Sequence, residues 1–159
     1  MPDSHSSADN RAFFGPEDPD ISYSRVWFYL LKSQRKFFPR FAQALKKVGI
    51  NDPVWYEIIW ELEKAGEHGK LMGELQEQLL LPQYALSRHV SRLEETGLVR
   101  REYIADGRRK QVLFLTEAGI GKHDEIWPIY LDALVKELSP LMSQDEAYDL
   151  ARRMIKFLP

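Results

Sequence analysis

Residues 82–119 read PQYALSRHVSRLEETGLVRREYIADGRRKQVLFLTEAG, and their reading decides that of the whole chain. In the first half, Leu86, Val90 and Leu93 recur at helical spacing. Tyr84, Ser87, Arg88, Ser91 and Glu95 fall on the opposite face, and Gln83 lies in the first turn. Pro82 opens this helix and Gly97 closes it. Two β-rich runs follow, Leu98 to Ile104 and Gln111 to Leu115, joined through Ala105-Asp106-Gly107, and Asp-Gly is a strong hairpin signal. Arg108, Arg109 and Lys110 then stand side by side at the predicted hairpin tip. Three adjacent cations repel one another and add nothing to a core, so an anionic partner is expected.

The distribution of charge agrees. The 159-residue chain has a net charge of −2, yet Pro82 to Thr116 holds seven Lys/Arg against four Asp/Glu, a local +3, which leaves −5 on the remainder. A basic middle in an acidic frame suits a local anionic partner. The sequence has no cysteine, which excludes disulfides, thiolate metal sites and thiol redox sensing. With no apolar run near 18 residues and no basic leader before an apolar stretch, it predicts no membrane span, no signal peptide and a cytoplasmic protein.

Working upstream, a short helix over about Gly73 to Leu79 faces Leu75 and Leu79 inward, preceded by a short strand at Gly69-Lys70-Leu71. Asn51-Asp52-Pro53 supplies a cap and a first-turn proline for a helix carrying Trp55, Ile58, Ile59 and Leu62 to Gly66. Ile21 to Val48 keeps a helical spacing through Trp27, Leu30, Leu31, Phe38, Phe41, Leu45 and Val48, with a bend or break expected at Pro39. Residues 1–20 are rich in Ser, Asp, Pro and Gly and read as a mobile arm, with Phe13-Phe14 its apolar content. Downstream, Thr116 caps a helix through Trp127, Tyr130, Leu134 and Leu138. Ser143 and Glu146 form a capping box for a last helix through Leu150, Met154 and Phe157.

The order of elements predicts a mainly α fold with a small β-wing, a winged helix-turn-helix flanked by N- and C-terminal helices. Residues 21–159 form a single domain on this reading, with the winged-helix lobe at about 51–116. In a helix-turn-helix the second helix lies in the DNA major groove and presents its N-terminal exposed residues to base edges. Gln83, Tyr84, Ser87, Arg88 and Ser91 hold that face, and Arg108, Arg109 and Lys110 would reach phosphates or the adjacent minor groove. The predicted partner is double-stranded DNA.

An enzyme fails on inventory. His5, His68, His89 and His123 show no ligand spacing, no Gly-rich phosphate loop is present, and no nucleophile sits in a known motif, so neither a metal nor a cofactor is expected. The alternative is a winged helix that binds protein or RNA without ligand control. Acidic residues across Gln83 to Ser91 would support it, and none is there.

The stretch from Leu86 to Gly119 resembles the recognition helix and wing of the MarR (multiple antibiotic resistance regulator) family, whose pattern runs Leu-Glu-x-x-Gly-Leu-Val-x-Arg, Asp-x-Arg, Leu-Thr-x-x-Gly. Leu93, Glu94, Gly97, Leu98, Val99, Arg101, Asp106, Arg108, Leu115, Thr116 and Gly119 occupy those places. The resemblance implies that Ser87 and Arg88 read bases, that Arg108 enters the minor groove, and that Asp106 braces the wing with a nearby arginine, for which Arg101 is the candidate. It implies a transcriptional regulator, a repressor, acting as a homodimer joined through residues 21–48 and 117–158 on a near-palindromic operator. Trp27, Leu30, Trp127, Tyr130, Leu150, Met154 and Phe157 supply apolar surface for that pairing. It further implies a small aromatic or phenolic effector, for which Tyr23, Trp27, Trp55, Tyr56 and Trp60 offer stacking surfaces, although aromatics at helical spacing also serve as core. One departure stands out: Leu79-Leu80-Leu81 replaces the family's usual glycine and polar cap, so a tighter packed or displaced turn is expected before the recognition helix.

Overall fold

The computed structural model describes residues 19–105 and 109–159, so residues 1–18 of the N-terminal arm, Asp106 and Arg108 lie outside the described residues, while Pro19 and Asp20, read as part of the arm, open the first helix. The first helix, α1, spans Pro19–Lys46 and contains Pro39 without ending there. Of the bend or break expected at that proline, the break is absent. Proline removes one helical N–H and crowds the preceding turn, but the turns beyond it bury Ala44 and Leu45, so the helix resumes. The chain does divide at this point into two compact units, Met1–Pro39 and Arg40–Pro159.

In the second unit α1 stops at Gly49, whose φ of 82° lets Ile50 N donate to Leu45 O at 3.0 Å. Helix α2, Pro53–Ala65, starts as its sequence directs, with the Asp52 carboxylate accepting from Val54 N at 3.1 Å and Pro53 in the first turn. Strand β1 is Lys70–Leu71, followed by α3, Met72–Leu79, and α4, Gln83–Glu95. Strands β2, Val99–Ala105, and β3, Arg109–Leu115, complete an antiparallel sheet ordered β1-β3-β2. Helices α5, Glu117–Leu138, and α6, Gln144–Met154, close the chain, with the Ser143–Glu146 capping box formed as read. The fold is mainly helical with a small sheet, a winged helix-turn-helix with flanking helices. Among the described residues no helix is long and apolar enough to cross a membrane.

The core gathers Leu45 from α1, Ile58, Ile59 and Leu62 from α2, Leu75 from α3, Leu86, Val90 and Leu93 from α4, Val99 and Leu113 from the sheet, and Ile126 from α5. Each fully buried aliphatic side chain contributes about 1.5–3 kcal/mol. This packing fixes the rotation of α4 about its own axis, and so decides which of its residues face outward. A half-hidden ion pair ties α2 to β1: Glu61 accepts from Lys70 Nζ at 2.8 Å and from Lys64 Nζ at 2.6 Å. Burial alone would raise the Glu61 carboxyl, but the two lysines hold it below the usual carboxylate range.

Two joints set the ends of the helix-turn-helix and the wing. The departure at Leu79-Leu80-Leu81 takes the form of a left-handed residue, since Leu80 caps α3 at φ 54°, ψ 34°, with its side chain 64% exposed. At the foot of the wing, the Thr116 hydroxyl donates to Gly97 O at 2.6 Å and accepts from Gly119 N at 3.0 Å, while Thr116 N donates to Leu98 O at 3.1 Å. One threonine thus caps α5 and seals the base of β2. Gly119 lets this closure happen, because a Cβ there would run into the Leu98 carbonyl oxygen.

These joints have opposite consequences on substitution. A leucine in the left-handed region costs about 1–2 kcal/mol, and glycine's looser unfolded chain takes back about 0.5–1 kcal/mol. Leu80→Gly should therefore raise the free energy of unfolding by about 0.5–1 kcal/mol in urea titration. Gly119→Ala should lower it by about 2 kcal/mol through overpacking. A stabilising Gly119→Ala would contradict the geometry of the wing base.

Candidate nucleic-acid interface

With Leu86, Val90 and Leu93 turned inward, α4 presents Gln83, Tyr84 and Arg88 outward, and Tyr84 is 75% exposed. Ser87 is half-buried. His89, to which the sequence pattern assigns no role, is buried with its Nδ1 3.6 Å from Asp52 Oδ2, beside the cap of α2.

The wing differs from its reading in sequence. Arg109 pairs with Ala105 and Lys110 with Ile104, so both belong to β3 rather than to the hairpin tip, which leaves only 106–108 as the connection. Strand alternation then separates the two cations. Arg101, Tyr103, Arg109 and Gln111 share one face; Arg100, Glu102, Ile104 and Lys110 share the other. The first face is the one toward α4, because Arg101 reaches that helix.

Arg101 is the structural joint of the site. Its side chain is 10% exposed; Nη1 donates to Gln111 Oε1 at 2.8 Å, and Nη2 donates to Ser91 Oγ at 3.2 Å and lies 3.2 Å from Glu94 Oε2. One guanidinium thus links β2, β3 and α4. Ser91, expected on the reading face, is instead turned to the wing, since its hydroxyl accepts from Arg101. The signal for this lies in the alternation of β2: Arg101 falls on the face of buried Val99, where a charge needs partners. Arg100, one residue earlier, points the other way, over the Phe114 ring and paired with Glu102. A surface groove runs between these elements, bordered by Gln83 of α4, Arg109, Lys110 and Gln111 of β3, and Glu74 and Glu77 of α3.

The aromatic residues singled out as stacking surfaces fall into separate places. Tyr23 and Trp27 are exposed on α1, in the first compact unit. Trp55, Tyr56 and Trp60 lie on α2 in the second. Tyr56 stacks on His123 at 6.0 Å between centroids and meets Tyr130 edge-on at 5.2 Å, while Trp60 packs on Trp127 at 4.7 Å. Burial, then the nearby Tyr130 and Glu63, push the Tyr56 hydroxyl up to about 12, so it stays protonated at neutral pH. The rings of Tyr56 and Trp60 are thus packed against protein, as core aromatics are. Among the described residues no group of three or more His, Cys, Asp or Glu could hold a metal ion.

Residues 48–110 match the family model described as MarR family. The fold is similar to that of the MarR family regulator Sco3205 from Streptomyces coelicolor, solved in complex with DNA, with 22% identity, a TM-score of 0.76, and 86% of this chain and 91% of that one covered. It is also similar to AbsC from the same organism, with 22% identity, a TM-score of 0.74 and coverage of 84% and 90%. The organohalide-sensing regulator RdhR-CbdbA1625, solved in its 2,4-dichlorophenol-bound form, shares 16% identity at a TM-score of 0.71, with coverage of 91% and 85%. No curated protein matches the chain in sequence.

The contrast between neighbouring arginines tests the joint. Arg101→Leu should cost about 1–3 kcal/mol of stability, as expected for hydrogen bonds to a charged, largely buried group. Arg100→Leu, an exposed pair, should stay within about 0.5–1 kcal/mol of wild type. Equal losses in denaturant titration would contradict the bracket.

Proposed function

We propose, from the premise that the winged-helix segment 48–110 is of the MarR family, that this chain regulates transcription by binding duplex DNA sequence-specifically. The observation that carries the reading is the single outward surface made by Gln83, Tyr84 and Arg88 on α4 and Arg109 across the groove from Gln83. Gln can bond adenine bidentately and Arg guanine, so α4 has the donors and acceptors for major-groove readout. Cations on a hairpin one groove away suit phosphates or a narrow minor groove. Arg108 belongs to this reading by its place in the Asp-x-Arg pattern. Support also comes from the DNA-bound state of the similar Streptomyces regulator.

The regulator acts as a homodimer on a near-palindromic operator. Helix α6 and the turn after it leave Tyr148, Leu150, Met154, Ile155, Phe157 and Leu158 exposed, and α1 leaves Tyr23, Val26, Trp27 and Phe28 exposed. Apolar surface of this extent calls for a cover, and a second copy supplies it with two-fold symmetry. On this reading 21–48 and 117–158 are dimerisation helices around a lobe at 51–116. A phenol or aromatic acid that releases the DNA would make the protein a repressor. The dichlorophenol-bound relative supports that class of effector.

Light scattering at micromolar concentration should return twice the chain mass of 18.6 kDa, and deletion of residues 147–159 should weaken association. A stable monomer would overturn the dimer.

Duplex selection followed by mobility shift tests the DNA reading. Arg88→Ala should cost about 1–3 kcal/mol on the selected site and little on random duplex, as expected for base readout. Arg108→Ala should flatten the slope of log affinity against log salt by about 0.9 for each phosphate no longer neutralised, doubled in a dimer. A chain that prefers RNA or a protein, or gains nothing from selection, would refute this function.

A further inference from the structure

We propose that Tyr103 is a positioning residue that holds Arg109 toward the recognition helix, so that Arg109 bonds the DNA phosphates lying between the helix and the wing. The inference rests on the DNA-binding reading above and says which wing-strand cation does the work. The Arg109 guanidinium carbon lies 4.4 Å from the centroid of the Tyr103 ring. The register explains how they meet. Ala105, directly opposite Arg109, has only a methyl group, so the arginine lies diagonally across it onto the next same-face residue of β2, which is Tyr103.

What the stacking leaves available matters as much as what it holds. A guanidinium stacked on a ring uses its flat face, and its N–H donors remain in the plane, directed away from the ring. An ion pair would consume those donors. Arg100 shows the difference, because it stacks on Phe114 and is also paired with Glu102. Among the described residues no carboxylate pairs with Arg109, although Glu74 and Glu77 border the same groove. Tyr103 thus keeps the cation from folding back onto α3. The tyrosine itself is 51% exposed, so its ring is not recruited into the core.

The face carrying the pair is also the right one. Gln111, beside Arg109 on that face, is held by Arg101, which is tied to Ser91 of α4. Arg109 therefore projects from the side of the wing locked to the recognition helix, and it borders the groove together with Gln83. Lys110 belongs to the opposite face by alternation, and it too borders the groove.

The test is anisotropy titration of the selected duplex at several salt concentrations, with thermal unfolding in parallel. Tyr103→Leu should weaken binding about two- to fivefold, the factor an exposed cation–π contact is worth. Tyr103→Phe, which keeps the ring, should bind as wild type. Arg109→Ala should weaken binding further and lower the salt slope, and Arg109→Ala with Tyr103→Leu should be no worse than Arg109→Ala alone. Should Tyr103→Leu unfold the wing, Arg109→Lys replaces it, since it keeps the charge and loses the flat face; the same two- to fivefold loss is expected. Wild-type binding by Arg109→Lys or by a folded Tyr103→Leu, or multiplied losses in the double variant, would overturn the role of Tyr103. A wild-type protein that binds no selected duplex would instead overturn the DNA-binding reading on which it rests.

Discussion

A winged helix reads two adjacent grooves only if its helix and its hairpin keep a fixed angle, and here Arg101 supplies the directional bonds between them. Arg101 sits in the strand of the wing nearest α4, almost out of solvent, and divides its donors between Gln111 on the neighbouring strand and Ser91 on the helix, with Glu94 alongside. A charge so placed is costly unless it is matched, and its two terminal nitrogens are matched by Gln111, Ser91 and Glu94, while its buried Nε has no hydrogen-bond partner. The apolar contacts beneath it, Leu86, Val90 and Leu93 against Val99 and Leu113, resist separation of helix and sheet but would tolerate sliding. The directional bonds of Arg101 resist the sliding. The Thr116 hydroxyl plays the same part at the other end of the sheet, closing β2 onto the start of α5.

From this joint the functional surface follows in order. The buried stripe of α4 turns Gln83, Tyr84 and Arg88 outward, and the same-face order of the wing strands carries the bracket from Arg101 through Gln111 to Arg109. Stability and the proposed recognition are therefore coupled but fall to different residues. Arg101, Gly119 and Thr116 hold shape, while Arg88 and Arg109 are the residues proposed to meet DNA. The aromatic set of Tyr56, Trp60, His123, Trp127 and Tyr130 lies between α2 and α5, so a ligand entering there would have to exchange ring contacts with these residues.

Much of this is legible in the sequence, and the legible part is the local part. Asp52-Pro53, Thr116 and the Ser143–Glu146 box each start a helix where they should, because a cap bonds to residues two or three positions away. The apolar stripe of α4 is likewise a short-range pattern. The misreadings depend on partners distant in sequence. Pro39 does not end α1, because burial of the following turn offsets the missing bond. Asp-Gly marks the hairpin but not its length, so Arg109 and Lys110 read as tip residues although they are paired strand residues on opposite faces. Ser91 fits the polar side of its helix, and only the wing packed beside it shows that Arg101 claims its hydroxyl. His89 is hidden for the same reason, since its neighbour Asp52 stands 37 positions earlier in the sequence.

The central claim is that α4 and the wing act as one rigid surface on neighbouring grooves of duplex DNA. Hydroxyl-radical footprinting of the protein on its selected duplex addresses this most directly. The account predicts protected sugars on both sides of a major-groove segment, with an outer minor-groove patch for each wing, repeated about a two-fold axis. Protection confined to a single groove, or a footprint without the outer patches, would contradict it.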